Sequence, residues 1–199
     1  MPRLFDYRII FIFVALAGSS LIVSPFLVKL APAINVQPFS EFYILGPGRM
    51  ASGYVTNVVA GASYGVTMGI VNHLESSAYY SLQVKLRSQA EQLPDQVLGI
   101  QSPLPALYEK RVVLGDNEAF EVPLNFTFKN LLFSSGLCMI STLSINGQDV
   151  TVNKIAGWNS TRGGYFVQLF IELWTFDRGS VKFVYDKKFV SLWLNMTGS

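Results

Sequence analysis

The chain has 199 residues, 50% hydrophobic and 14% charged, and Lys+Arg 15 against Asp+Glu 13 leaves a net charge of +2. So apolar and aromatic a chain can bury a core, which excludes intrinsic disorder, and its balanced charge excludes a basic nucleic-acid binder. One Cys and one His exclude a disulfide scaffold, the usual Cys/His zinc site, and any Cys–His catalytic pair other than Cys138 with His73.

Residues 1–8 are a short N-terminal segment. Ile9 to Val28 then read IIFIFVALAGSSLIVSPFLV without a charge. A helix rises about 1.5 Å per residue, so a helix over 9–30 crosses a hydrocarbon layer of about 30 Å. Arg3, Arg8 and Ala31-Pro32-Ala33 also suit a cleaved signal peptide. The apolar run, however, exceeds the roughly 7–15 residues of a signal h-region. Arg3 and Arg8 place the N-terminus in the cytoplasm by the positive-inside rule. Both readings put the remainder of the chain outside. Residues 31–40, with Pro32 and Pro38, read as a linker, and 41–199 as an extracytoplasmic domain.

That domain is dominated by period-two alternation, the mark of strands. Tyr64, Val66, Met68 and Ile70 share one face, with Gly65, Thr67 and Gly69 on the other, where small residues point to a closely packed layer. Tyr80, Leu82, Val84 and Leu86 alternate with Ser81, Gln83, Lys85 and Arg87, as in a half-buried antiparallel strand. Residues 88–98 suggest a short helix ended by Pro94, and 99–106 a loop. Residues 118–128 read as a strand with Pro123 at an edge or bulge, and 137–155 as a hairpin turning at Asn146-Gly147. Residues 165–176, apolar on both faces except Gln168 and Glu172, suit a central strand, with Trp174 and Trp193 in the core. The count and spacing predict a mainly β chain: an antiparallel β-sandwich behind one N-terminal transmembrane helix.

The residues offer little chemistry. His73 lacks a second His for a metal site, and a turn histidine bonded to nearby groups is the simpler reading. There is no Gly-x-Ser-x-Gly elbow and no phosphate loop after Gly46-Pro-Gly48. Asp116, Glu118 and Glu121 are too few for a calcium loop and suit a solvated turn. Cys138 reads as a small buried hydrophobe. No catalytic residue, metal ligand or cofactor is expected, and the chain is read as a non-enzyme. Three sequons, at Asn125, Asn159 and Asn195, suit N-glycosylation on an exterior domain. Trp158, Tyr79 and Tyr108 are candidate partner contacts, since exposed aromatics bind proteins and sugars well.

The stretch Phe39-Ser-Glu-Phe-Tyr-Ile-Leu-Gly-Pro-Gly-Arg-Met-Ala-Ser-Gly-Tyr54, then Asn57 and Gly69-Ile-Val-Asn-His73, is distinctive. It resembles the extracytoplasmic module of an archaeal membrane-protein family known as domain of unknown function 1616. Val190-Ser-Leu-Trp-Leu-Asn-Met196 and Phe170-Ile-Glu-Leu-Trp174 are similar to that module's closing strands. The resemblance covers about 37–90 and 165–197, with an insertion between. It implies an immunoglobulin-like sandwich outside an archaeal cell, with no established activity. The expected function is a membrane-anchored, non-enzymatic interaction module, an accessory or structural subunit of a membrane or envelope assembly. Its expected partners are other membrane or envelope proteins and the bilayer, with no nucleic acid. The alternatives are a cofactor-free subunit of a membrane enzyme or electron-transfer complex, and a surface module binding a glycan through Trp158.

Overall fold

A computed structural model of the chain describes Tyr7, residues 10–19 and residues 37–198. The rest of segment 1–8, positions 9 and 20–30 of the expected span, and linker residues 31–36 lie outside the described residues. The chain divides into two compact units, Met1–Gln37 and Pro38–Ser199. In the first, residues 10–19 are helical. Among the described residues, no helix is long and apolar enough to cross a membrane.

Among the described residues, the second unit holds eleven strands. They are β1 Phe39–Leu45, β2 Asn57–Val58, β3 Ser63–His73, β4 Ala78–Ser88, β5 Tyr108–Leu114 and β6 Ala119–Phe128, followed by β7 Leu131–Ser134, β8 Leu137–Ile145, β9 Gln148–Asn159, β10 Gly164–Asp177 and β11 Lys182–Met196. β1 starts at Phe39, inside the expected linker. The strands form one curled sheet. One half runs β1-β3-β6-β8-β9, with β7 beside β8; the other runs β5-β4-β10-β11-β2. β9 joins the halves, because Trp158 and Asn159 leave β8 and pair with Tyr165 and Gly164 of β10. All pairings are antiparallel except the short β11–β2 contact.

Alternation decides what is buried. Tyr80, Leu82, Val84 and Leu86 of β4 and Val167, Leu169, Ile171 and Leu173 of β10 enter one core with Met68, Ile70, Phe126 and Leu143 from the other half. The hairpin turn falls at Asn146-Gly147, where φ of 47° and 83° gives the mirror-image turn that matches strand twist. Asn72 closes the end at which β1 begins. Its buried amide nitrogen donates to the carbonyls of Ser76, Leu114 and Gly115, and its oxygen accepts from the Tyr80 hydroxyl at 2.9 Å.

Two expectations are corrected. Residues 88–98 form no helix: Glu91 turns back to accept from the Ser88 amide, and Asp95 pairs with Ile100 as an isolated bridge. Trp174 and Trp193 are half-buried and stand outside the core. They lie on the outer face of β10 and β11, one residue out of phase with Leu173, Leu192 and Leu194, which face inward.

Candidate interaction surface

The β7–β8–β9 end carries the most exposed apolar surface of the sheet. Register places Leu132 opposite Met139, and Met139 opposite Ile155, so the three side chains form one row across three strands. All three are exposed, as is Leu137 beside them. A cleft of about 180 Å³ follows the row, with Asn153 and Lys154 on its rim. β7, Leu-Leu-Phe-Ser, is paired only to β8 and has no charge. The outer strand of the other half, β5, instead carries Glu109, Lys110 and Arg111, the charged protection that edge strands ordinarily show.

Trp158 lies three positions after Ile155 and so points to the opposite face of β9. It is 55% exposed, with its ring edge-on to Tyr165 at 5.1 Å. Tyr165 meets Phe133 at 5.3 Å. The aromatic trio forms a corner around the rim from the apolar row.

Tyr79 and Tyr108 are elsewhere. Tyr79 stacks with Phe183 at 4.9 Å and Phe176 at 5.9 Å, beside an open depression of about 540 Å³ that also touches Leu74, Val113 and Arg178. Phe176 and Tyr165 lie near opposite ends of β10, roughly 35 Å apart by strand rise. Tyr108 is half-buried against the core. The structure therefore does not bring the three expected contacts together.

The outer face of β4, β10 and β11 carries a polar array that period-two reading missed. Lys85 and Glu172 form a buried ion pair at 2.8 Å. Glu172 also accepts from the Ser102 amide and the Trp174 indole, and Lys85 donates to the Ser102 carbonyl. The segment after β4 is thereby strapped over the sheet. Beyond it, Arg87 and Arg162 both lie over the Trp193 ring, at 5.4 and 5.0 Å, a cation–π stack. Arg87 also donates to Gln168, which donates to Ser191, and burial draws its guanidinium below the usual range. In sequence, Gln168 and Glu172 interrupted an apolar strand, while Ser81, Lys85 and Arg87 read as the solvent face of a half-buried strand; the structure buries all three.

The histidine and acidic residues singled out in the sequence have local partners. His73 Nδ1 is 2.9 Å from Asn117 Oδ1, and its ring stacks on Phe39. Asp116 accepts from the Glu75 amide, Glu118 from the Gly115 amide, and Glu121 pairs with Arg49. Among the described residues no group of three or more His, Cys, Asp or Glu could hold a metal. Cys138 is buried, and burial pushes its thiol up to about 11. The sequons differ in setting. Asn195 donates to Asn57 and accepts from the Tyr165 amide; Asn159 donates to Gln89 and accepts from the Arg162 amide; the Asn125 side chain is exposed beside Gly65.

Residues 34–131 match the family described as domain of unknown function (DUF1616). The matched stretch carries β1–β6 and ends on the first residue of β7. No curated protein matches the chain. Among solved structures, a beta-glucosidase from Listeria innocua is 13% identical with a TM-score of 0.43, over 81% of this chain and 16% of that one. The same enzyme in complex with isofagomine is 13% identical at a TM-score of 0.42, with the same coverage of both chains. Its glucose complex is 15% identical at 0.41, over 80% of this chain and 16% of that one. The chain spans 16% of the length of these enzymes.

Proposed function

We propose that the chain is a membrane-anchored, non-enzymatic interaction module. In this reading its β unit is an immunoglobulin-like sandwich outside the cell, serving as an accessory subunit of a membrane or envelope assembly. The observation that carries it is the exposed row of Leu132, Met139 and Ile155 on uncharged, singly paired β7 and its neighbours. Water contact at such a row is unfavourable, and because each side chain is about half exposed, covering it is worth about 1–1.5 kcal/mol. A contiguous exposed apolar patch of this kind is a feature of interaction surfaces. The uncharged run from Ile9 to Val28 supports the anchor, and Arg3 with Arg8 supports the exterior placement of the β unit.

The test is purification from the native membrane in mild detergent. Full-length chain is expected to bring a protein partner with it, and Met139→Asp with Ile155→Asp to lose that partner while retaining its near-UV circular dichroism. Both positions are exposed, so the charges do not enter the core. A strict monomer, or a variant that captures the same partner equally well, would sink the reading.

A further inference from the structure

Midway along the strap between β4 and β5 the chain makes a tight turn whose tip lies outside the core cluster. Asp95 and Ile100 exchange both backbone hydrogen bonds, at 2.7 and 2.9 Å. Between them the chain projects Val97 and Leu98, which are 89% and 70% exposed; Ile100 is 56% exposed. Lone exposed apolar residues are ordinary, but three on one turn tip are not. No charged residue occurs from Gln96 to Tyr108.

The turn is preorganised. The amides of Val97 and Leu98 both donate to Asp95 Oδ1 at 2.8 Å, and Gly99 supplies the left-handed residue at φ +69°. Gln96 donates to the Phe189 carbonyl, and the Ser102 amide donates to buried Glu172. The Lys187 stem packs against Gly99: a Cβ there would fall 2.9 Å from Lys187 Cε. Its neighbour Lys188 is paired with Asp186.

These features suit one kind of surface. An apolar tip leaving water must not carry unpaired amide donors, and here the two most exposed residues have theirs satisfied within the turn. Carbonyls of the tip remain open, which suits the wet headgroup layer rather than the hydrocarbon centre. Lys187 at the base can meet lipid phosphate. If the anchor ends at residue 30, only residues 31–38 separate it from β1, a reach of about 30 Å at full extension. We propose that the Val97-Leu98-Gly99-Ile100 turn docks into the headgroup region of the bilayer that holds the anchor. This rests on the anchored reading above.

The experiment uses the full chain reconstituted into phosphatidylcholine vesicles with and without phosphatidylglycerol. Leu98→Cys is labelled with an environment-sensitive fluorophore, and Gln148→Cys, exposed at the start of β9, is the control; buried Cys138 stays unlabelled. The probe at 98 should be quenched by spin-labelled lipid and shielded from aqueous iodide, while the probe at 148 behaves oppositely. Adding Val97→Asp and Ile100→Asp should return position 98 to iodide, and phosphatidylglycerol should deepen lipid quenching unless Lys187→Glu is present. If the chain floats with the vesicles yet position 98 is as open to iodide as 148, the docking proposal alone is overturned. Shielding from iodide without lipid quenching means a protein contact and also overturns it. A chain that does not float with the vesicles overturns this proposal and the anchored reading together.

Discussion

Lys85 and Glu172 lie on adjacent strands, almost wholly removed from water, and each is bonded to the same residue of the strap, Ser102. Removing one partner of such a pair leaves an uncompensated buried charge, which costs about 3–5 kcal/mol. Lys85→Met should lower the free energy of unfolding in urea by about that much. Lys85→Met with Glu172→Leu should lose less than the single change, because no charge is stranded and only neutral groups, the Ser102 amide and carbonyl and the Trp174 indole, lose a partner. A double variant at least as unstable as the single one would mean that the two charges do not depend on each other. Sequence showed Lys85 as the polar residue of an alternating strand and Glu172 as an interruption in another. Their meeting depends on register, Phe170 opposite Lys85 and Glu172 opposite Gln83, which alternation alone does not specify. The bond that Asn72 accepts from the Tyr80 hydroxyl, reaching across from the other half of the sheet, has no signal in the local pattern either.

β3 shows how much of an element a pattern can reveal. The inward Val66, Met68 and Ile70 follow from alternation and are buried. The small residues on the other face were expected to meet a closely packed layer; at Gly69 the space is instead filled by the Tyr43 ring of adjacent β1, within the same sheet. A Cβ at Gly69 would fall 2.1 Å from Tyr43 Cε2, so the ring must move. Gly69→Ala should cost about 1–3 kcal/mol by overpacking. Because the two sites share one contact, Gly69→Ala with Tyr43→Ala should cost less than the sum of the single changes, read as urea midpoints. Strict additivity would remove Tyr43 as the reason for the glycine. The Trp positions show the opposite lesson. Trp174 and Trp193 were assigned to the core because large aromatics usually go there, yet they cover the sheet from outside beneath Lys85, Arg87 and Arg162. Period-two alternation sorts residues into two faces; it does not say which face meets the core and which meets a strap. The helix expected over 88–98 failed for a related reason: bonds from Ser88 and Lys154 to Glu91 hold that segment in another shape.

At the scale of the molecule, the matched stretch 34–131 ends before the strand that ties the curled sheet together. β10 pairs with β4 on one side and β11 on the other, meets β9 at its start, and sends Val167, Leu169, Ile171 and Leu173 into the shared core. A chain ending at Leu131 would leave the inner side of β4 without its partner strand. It should show no cooperative thermal transition, whereas residues 38–199 should unfold in one step, because both halves bury into a single cluster. A folded product from the shorter chain would mean that the halves are separable. The sequence by itself determined the strand-rich class, most strand positions, the hairpin at Asn146-Gly147 and the uncharged N-terminal run, since each follows from local periodicity, turn chemistry or composition. Only the tertiary structure decided that Leu132, Met139 and Ile155 align in one exposed row, that Tyr79 and Trp158 lie far apart, and that Lys85 meets Glu172 under a strap. Those facts depend on which strands pair and in what register, and that is set by contacts between residues distant in the chain.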